Sequence, residues 1–162
     1  MTIKNRLFWI AAFVAIVLDQ ITKYWTVQRF ELGESLPLWE GVFHFTYVLN
    51  TGAAFSLFSN GGYWLRWLSL LVSLGLMALA FFGPPMNRWE QLGFGCILGG
   101  ALGNGIDRFA SGAVVDFLDF RLIQFPIFNL ADVSINIGII CLLIAAFRQP
   151  TPPRDGPKRP RP

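Results

Sequence analysis

VVDFLDFRLIQFPIFNLADVSINIGIICLLIAAF, Val114 to Phe147, sets Asp116, Asp119 and Asp132 among aromatic and branched apolar residues and then runs into a long apolar segment. An ionised carboxylate in such surroundings is costly unless it is paired, wetted or neutralised, so its presence calls for a use. The whole chain shares this character. Of its 162 residues 54% are hydrophobic and 14% charged, against about 25% charged in ordinary soluble domains, and the mean hydropathy is +0.50. These values describe a membrane protein: one compact unit with a few spans and no soluble domain of its own.

Four apolar segments approach the roughly 17 to 25 residues that a spanning helix needs. They are Leu7 to Trp25, Leu65 to Phe82, Leu92 to Arg108, and about Asn129 to Phe147. The first is preceded by Lys4 and Arg6 like a secretory signal, but "DQITK" follows its apolar core with no small-residue cleavage site, so it reads as a retained span. Lys4, Arg6, Arg88 and the cluster Arg148, Arg154, Lys158, Arg159 and Arg161 flank the spans so that both termini and the short "GPPMNR" link face the cytoplasm. Residues 26–64 and 109–128 then face outward. Within the first of these, "VFHFTYV" alternates aromatic and β-branched residues between Gly41 and "NTG", a strand signal for a small sheet on the membrane surface. The expected fold is therefore mainly α, with four transmembrane helices and a small β-rich outward loop. Residues 1–148 form the membrane domain, and the Pro-rich basic residues 149–162 form a disordered cytoplasmic tail, either a topology anchor or a contact for anionic lipid.

The residue inventory narrows the chemistry. Cys96 and Cys141 lie inside apolar runs, away from any disulfide or metal pattern, and His44 is the single histidine. There is no HExxH, and a Ser-His-Asp triad would have to be built around His44. An enzyme of this composition has to work with carboxylates. Gly95, Gly99 and Gly103 recur every four residues on one helical face and suit close helix packing. Beyond them Asn104, Asp107 and Arg108 cluster at one depth, as at a wetted site. The third and fourth spans meet at the outer side, so the connecting segment can bring Asp116 to Asp132. Such a pair shares one proton, the ionised partner taking a proton from water and the protonated one polarising a carbonyl. The alternative is that each aspartate caps a helix or pairs with Arg108 or Arg121. Asp19 and Lys23, four apart near the outer end of the first span, read as an interfacial ion pair.

Taken in order, "DQITK" (Asp19 to Lys23), "NTGAAFS" (Asn50 to Ser56), "GGALGNGIDR" (Gly99 to Arg108), "VVDF" (Val114 to Phe117) and "FNLADVSI" (Phe128 to Ile135) resemble the motif set of lipoprotein signal peptidase, signal peptidase II. That resemblance covers the first span to the fourth. It implies an aspartic endopeptidase of the bacterial inner membrane, with its active site at the outer face, cleaving the signal peptide of prolipoproteins just before a diacylglyceryl-modified cysteine. By motif the catalytic pair falls on Asp116 and Asp132. Asn50, Asn104, Arg108 and Asn129 match the family's polar residues around substrate, while Asp19, Lys23, Gly99 and Asp107 match its supporting positions. Val133 departs from the family's usual serine after the catalytic aspartate. Prolipoproteins and membrane lipid are the implied partners, with no nucleic acid, metal or cofactor. The lipidated substrate would enter between helices, and the "VFHFTYV" loop would take its peptide as an added strand. A small transporter or proton channel would instead place carboxylates at several depths. A presenilin-type peptidase would carry Gly-x-Gly-Asp, which "GNGID" does not spell, and a non-enzymatic scaffold would use only the Gly face.

A cysteine placed at Pro152 is expected to resist a membrane-impermeant thiol reagent in intact cells while one at Asn60 reacts. The reverse pattern would overturn the topology.

Overall fold

The computed structural model describes residues 4–52 and 63–148. The elements in chain order are α1 (Arg6–Arg29), β1 (Ser35–Trp39), β2 (Phe43–Asn50), α2 (Trp64–Phe82), α3 (Arg88–Ala110), β3 (Val114–Phe120) and α4 (Leu130–Phe147), with one 3-10 turn at Arg121–Ile123. The basic tail and residues 53–62, which include most of the "NTGAAFS" motif, lie outside the described residues. Helices α1, α2 and α4 are long and apolar enough to cross a membrane, with mean hydropathies of 1.5, 1.9 and 2.3 over their best windows, and the chain is a multi-pass membrane protein. The third segment is also a long helix, 23 residues, but its glycines, asparagine and charged ends leave α3 short of that composition.

The reason lies in packing. α3 contacts each of the other three helices, so much of its surface meets protein, where small residues permit close approach. A Cβ on Gly95 would strike Phe8 and Ala11; one on Gly99 would strike Ala12 and Ala15; one on Gly103 would strike Asp19. These glycines therefore form the α1 contact. Gly93 and Gly100 serve α4 in the same way, against Leu142 and against Ala131 and Ile135, and Gly138 of α4 returns the fit against Gly93 and Ile97. At the bundle end remote from the sheet, the Asn5 side chain donates to Ala80 O (3.0 Å) and accepts from Met86 N (3.2 Å), tying the start of α1 to the α2–α3 link.

The sheet is antiparallel in the order β1-β2-β3. The "VFHFTYV" stretch is indeed a strand, β2, and it is the central one: Leu36 faces Phe45 across β1, and Val48 faces Asp116 across β3. From Phe43 to Thr46 β2 is flanked by β1, and β3 lies along its other side, so a substrate strand cannot be added along that part of it. The outer edge of β3 is occupied too, where Val115 N donates to Asp107 Oδ2 (3.2 Å) and Phe117 N to Phe128 O (3.0 Å). Aromatic contacts seat the sheet on the end of α1, with Trp25 ring centroids 5.5 Å from Phe30 and 6.0 Å from Phe45.

Gly99→Val, which forces apart α1 and α3, is expected to lower stability in detergent by about 1–3 kcal/mol. Gly75 of α2 has open space around it, so Gly75→Ala is expected to raise stability by about 0.5–1 kcal/mol through helix propensity alone. Thermal unfolding of the two variants checks both values, and equal tolerance would contradict the packing role of Gly99.

Candidate active site

Local chain chemistry delivers each polar group to the sheet end of the bundle. α3 stops at Ser111, and Gly112 takes a left-handed φ of 81° that turns the chain directly into β3. Asp116 follows on that strand. Asn129 is the N-cap of α4: its Oδ1 accepts from Asp132 N (3.1 Å) while Asp132 Oδ2 accepts from Asn129 N (3.3 Å), a capping box with aspartate at the third helical position. Asn50 ends β2 in an Asx turn, Oδ1 accepting from Gly52 N at 3.0 Å, which leaves its Nδ2 free to reach β3.

These caps converge on two carboxylates. Asp116, 2% exposed, accepts from Asn129 Nδ2 at Oδ1 (2.6 Å) and from Asn50 Nδ2 at Oδ2 (3.0 Å). Asp132 accepts from Asn104 Nδ2 at Oδ1 (2.8 Å) besides its capping bond. Asn129 thus bonds to both aspartates, and its Nδ2 also donates to Asn104 Oδ1 (2.9 Å). Asp116 and Asp132 share the wall of one cavity of about 680 Å³, which Asn50, Asn104, Arg108 and Phe125 to Phe128 also line. Burial pushes the Asp116 carboxyl up from 3.8 to about 6; the Asn50 hydrogen bond opposes this, the nearby Asp132 charge adds to it, and Asn129 and Lys23 pull it down. Arg108 holds the chain over the cavity, donating from Nη2 to Gly52 O (3.1 Å) and from Nη1 to Asn104 O (3.4 Å).

Beneath Asn104 lies a buried charge cluster. Lys23 Nζ sits 2.9 Å from Asp19 Oδ2 and 2.8 Å from Asp107 Oδ2, and donates to Asn104 Oδ1 at 3.0 Å. The expected i,i+4 pair is therefore present, but it is buried rather than interfacial, Lys23 being 3% and Asp19 0% exposed. Asp107 belongs to it instead of pairing with its neighbour Arg108. Gln20 joins the two acids, its Nε2 lying 3.2 Å from Asp19 Oδ2 and 3.1 Å from Asp107 Oδ1. It stands inside "DQITK", where its helical phase next to Asp19 was the available signal. Asp19 Oδ1 also accepts from Ala131 N (2.9 Å), which locks α1 to the first turn of α4.

The remaining expected residues fall elsewhere. Gly99 sits in the α1–α3 contact, and Asn129, 0% exposed, lies behind the carboxylates rather than on the cavity wall. Asp119 is bound by Arg121 Nε (2.9 Å) and Thr46 Oγ1 (2.7 Å) on the sheet, apart from the cavity. His44 approaches Ser35 Oγ at 3.2 Å through Nδ1, a pairing that invites comparison with a hydrolytic triad. Its Nε2, however, accepts from Gly41 N (3.3 Å), so the ring proton of neutral His44 is on Nδ1 and the ring cannot take a proton from Ser35. Among the described residues no three His, Cys, Asp or Glu side chains converge as a metal site.

Comparison with known proteins places this geometry in a family context. The family described as Signal peptidase (SPase) II matches residues 11–148. The lipoprotein signal peptidase of Nostoc punctiforme is 70% identical over 96% of this chain and 98% of its own length. That of Microcystis aeruginosa is 71% identical over 89% and 94%. Among solved structures, a bacterial membrane enzyme determined by the in meso method at 2.3 Å resolution superposes with a TM-score of 0.83 at 29% identity, covering 96% of this chain and 98% of that one. A second, at 1.9 Å resolution, gives 0.76 at 31% identity over 87% and 92%.

Proposed function

The chain belongs to the signal peptidase II family, and from that premise we propose that it is an aspartic endopeptidase that removes the signal peptide from diacylglyceryl-modified prolipoproteins. The observation that carries the reading is the convergence of Asp116 and Asp132 on one cavity wall, joined through Asn129. Two carboxylates are sufficient for peptide hydrolysis when one is protonated and the other ionised. Asp116, raised to about 6 by burial, is the better proton holder, which leaves the water-activating role to Asp132.

In this mechanism a water molecule between the carboxylates gives its proton to Asp132 as its oxygen bonds to the scissile carbonyl carbon. The carbonyl oxygen takes the proton of Asp116, giving a neutral gem-diol. On collapse Asp132 passes its proton to the departing nitrogen, the C–N bond breaks, and a diol hydroxyl returns a proton to Asp116. Arg108, Asn50 and Asn104 line the cavity and are the groups available to substrate; Asn129, fully buried, orients the carboxylates. The apolar wall of Phe125, Ile127 and Ile135 suits a substrate whose lipid stays in the bilayer.

The membrane arrangement belongs to the same proposal. α3 is the remaining span, third in the chain, with much of its surface turned to its three partner helices rather than to lipid. Both termini are cytoplasmic and the sheet end faces outward from the bacterial inner membrane, where the scissile bond meets water. Asp19, Lys23, Asp107 and Gly99 support the site from within the bundle. Catalysis needs no cofactor in this scheme, and residues 149–162 form a separate cytoplasmic tail.

Incubating the purified protein with a diacylglyceryl prolipopeptide is expected to release the intact signal peptide, cut directly before the modified cysteine. Asp116→Asn and Asp132→Asn, each checked for folding, are expected to lower turnover by about two to four orders of magnitude, and the double variant by little more, because the two act as a unit. Asp119→Asn is expected to keep most activity. Near-normal turnover in a folded Asp116→Asn or Asp132→Asn would end the dyad assignment.

A further inference from the structure

Lys23 is buried, 3% exposed, and no step of the reaction above uses it. Its three ammonium protons have three partners: Asp19 Oδ2 at 2.9 Å, Asp107 Oδ2 at 2.8 Å and Asn104 Oδ1 at 3.0 Å. The last of these matters most, because an asparagine amide has two chemically opposite ends. Asn104 Oδ1 receives both Lys23 Nζ and Asn129 Nδ2, groups that can only donate, so Nδ2 must be the end that faces Asp132 Oδ1 at 2.8 Å.

We propose that Lys23 is a positioning residue for the peptidase reaction: anchored by Asp19 and Asp107, its ammonium clamps the Asn104 amide so that the N–H of Asn104 stays on the Asp132 carboxylate. The inference rests on the dyad reading and adds the device that keeps Asp132 supplied with a donor. Removing the ammonium does more than loosen the amide. Asp19 and Asp107 would remain as acceptors on the far side of Asn104 and would draw its NH2 toward themselves, turning Oδ1 onto Asp132. That arrangement sets an acceptor against a carboxylate oxygen and withdraws a hydrogen bond that favours its ionised form. Asp19 and Asp107 accordingly hold Lys23 in place, with Gln20 bracing the two acids.

The test is a double-mutant cycle on Lys23→Met and Asn104→Ala, reading kcat and KM for a lipidated prolipopeptide. Each single change is expected to lower kcat by about ten- to a hundredfold, the size of one hydrogen bond to a charged group, and in Lys23→Met, which does not line the cavity, KM changes by no more than about threefold. If Lys23 acts through Asn104, the double variant loses no more than Asn104→Ala alone. Losses that multiply, or an unchanged kcat in Lys23→Met, would overturn the proposal. Lys23→Met leaves two buried acids without a counter-ion, so the cycle is also run with Asp19→Asn/Lys23→Met/Asp107→Asn, which leaves no unpaired charge and is read by the same criteria. Asp132→Asn is the control that separates the two ideas. If it stays active, the dyad reading fails and this inference with it; if it is inactive while Lys23→Met is unaffected, only the role of Lys23 is lost.

Discussion

Each oxygen of the Asp116 and Asp132 carboxylates accepts one hydrogen bond from an asparagine residue, and the rest of the structure is arranged so that this can happen. Asn50 comes from the end of β2, Asn104 from α3 and Asn129 from the cap of α4, three elements far apart in the chain. Leaving one such buried acceptor unpaired would cost about 1–3 kcal/mol. The sheet, the capping box and the helix contacts therefore depend on one another through these bonds. Among the described residues every buried side-chain nitrogen and oxygen has a partner.

Meeting that requirement in a bilayer depends on α3. Its glycines admit α1 on one side and α4 on the other, which places Lys23 one hydrogen bond from Asn104 and Asn104 one from Asp132. A bulkier α3 would separate the charge cluster from the carboxylates it supports. The same closeness lets Asp19 accept from the α4 backbone at Ala131, so the first turn of α4, which carries Asp132, is fixed from two directions. Rigid support of this kind is what the proposed proton transfers through Asp116 and Asp132 require, since small displacements of reacting groups are costly in rate.

Much of this was legible in the chain. Apolar runs of spanning length marked all four helices, the alternation in "VFHFTYV" marked β2, and the four-residue glycine spacing marked a helix contact. Asp116 and Asp132 could be brought together by topology, and the motif resemblance named them. What escaped were features set by long-range partners. β1 is five residues long and exposed along most of its length, so it carries no clear alternation. β3 has charges at Asp116 and Asp119 that disguise a strand until its polar partners are known. Asp107 has Arg108 as its neighbour in sequence, yet helical phase points it at Lys23 on α1. Asn129 looked like a substrate contact because its motif adjoins the aspartate, whereas capping α4 buries it.

The central claim is that Asp116 and Asp132 work as a pair that needs one proton, with Asp116 holding it. Burial raises Asp116 from 3.8 to about 6, so the free enzyme keeps this proton below that pH and loses it above. The direct measurement is kcat/KM for a lipidated prolipopeptide across pH, because this ratio reports the ionisations of the free enzyme. The account predicts a decline through about pH 6 that approaches tenfold per pH unit on the alkaline side. A profile that stays level from about pH 5 to 8 would contradict it.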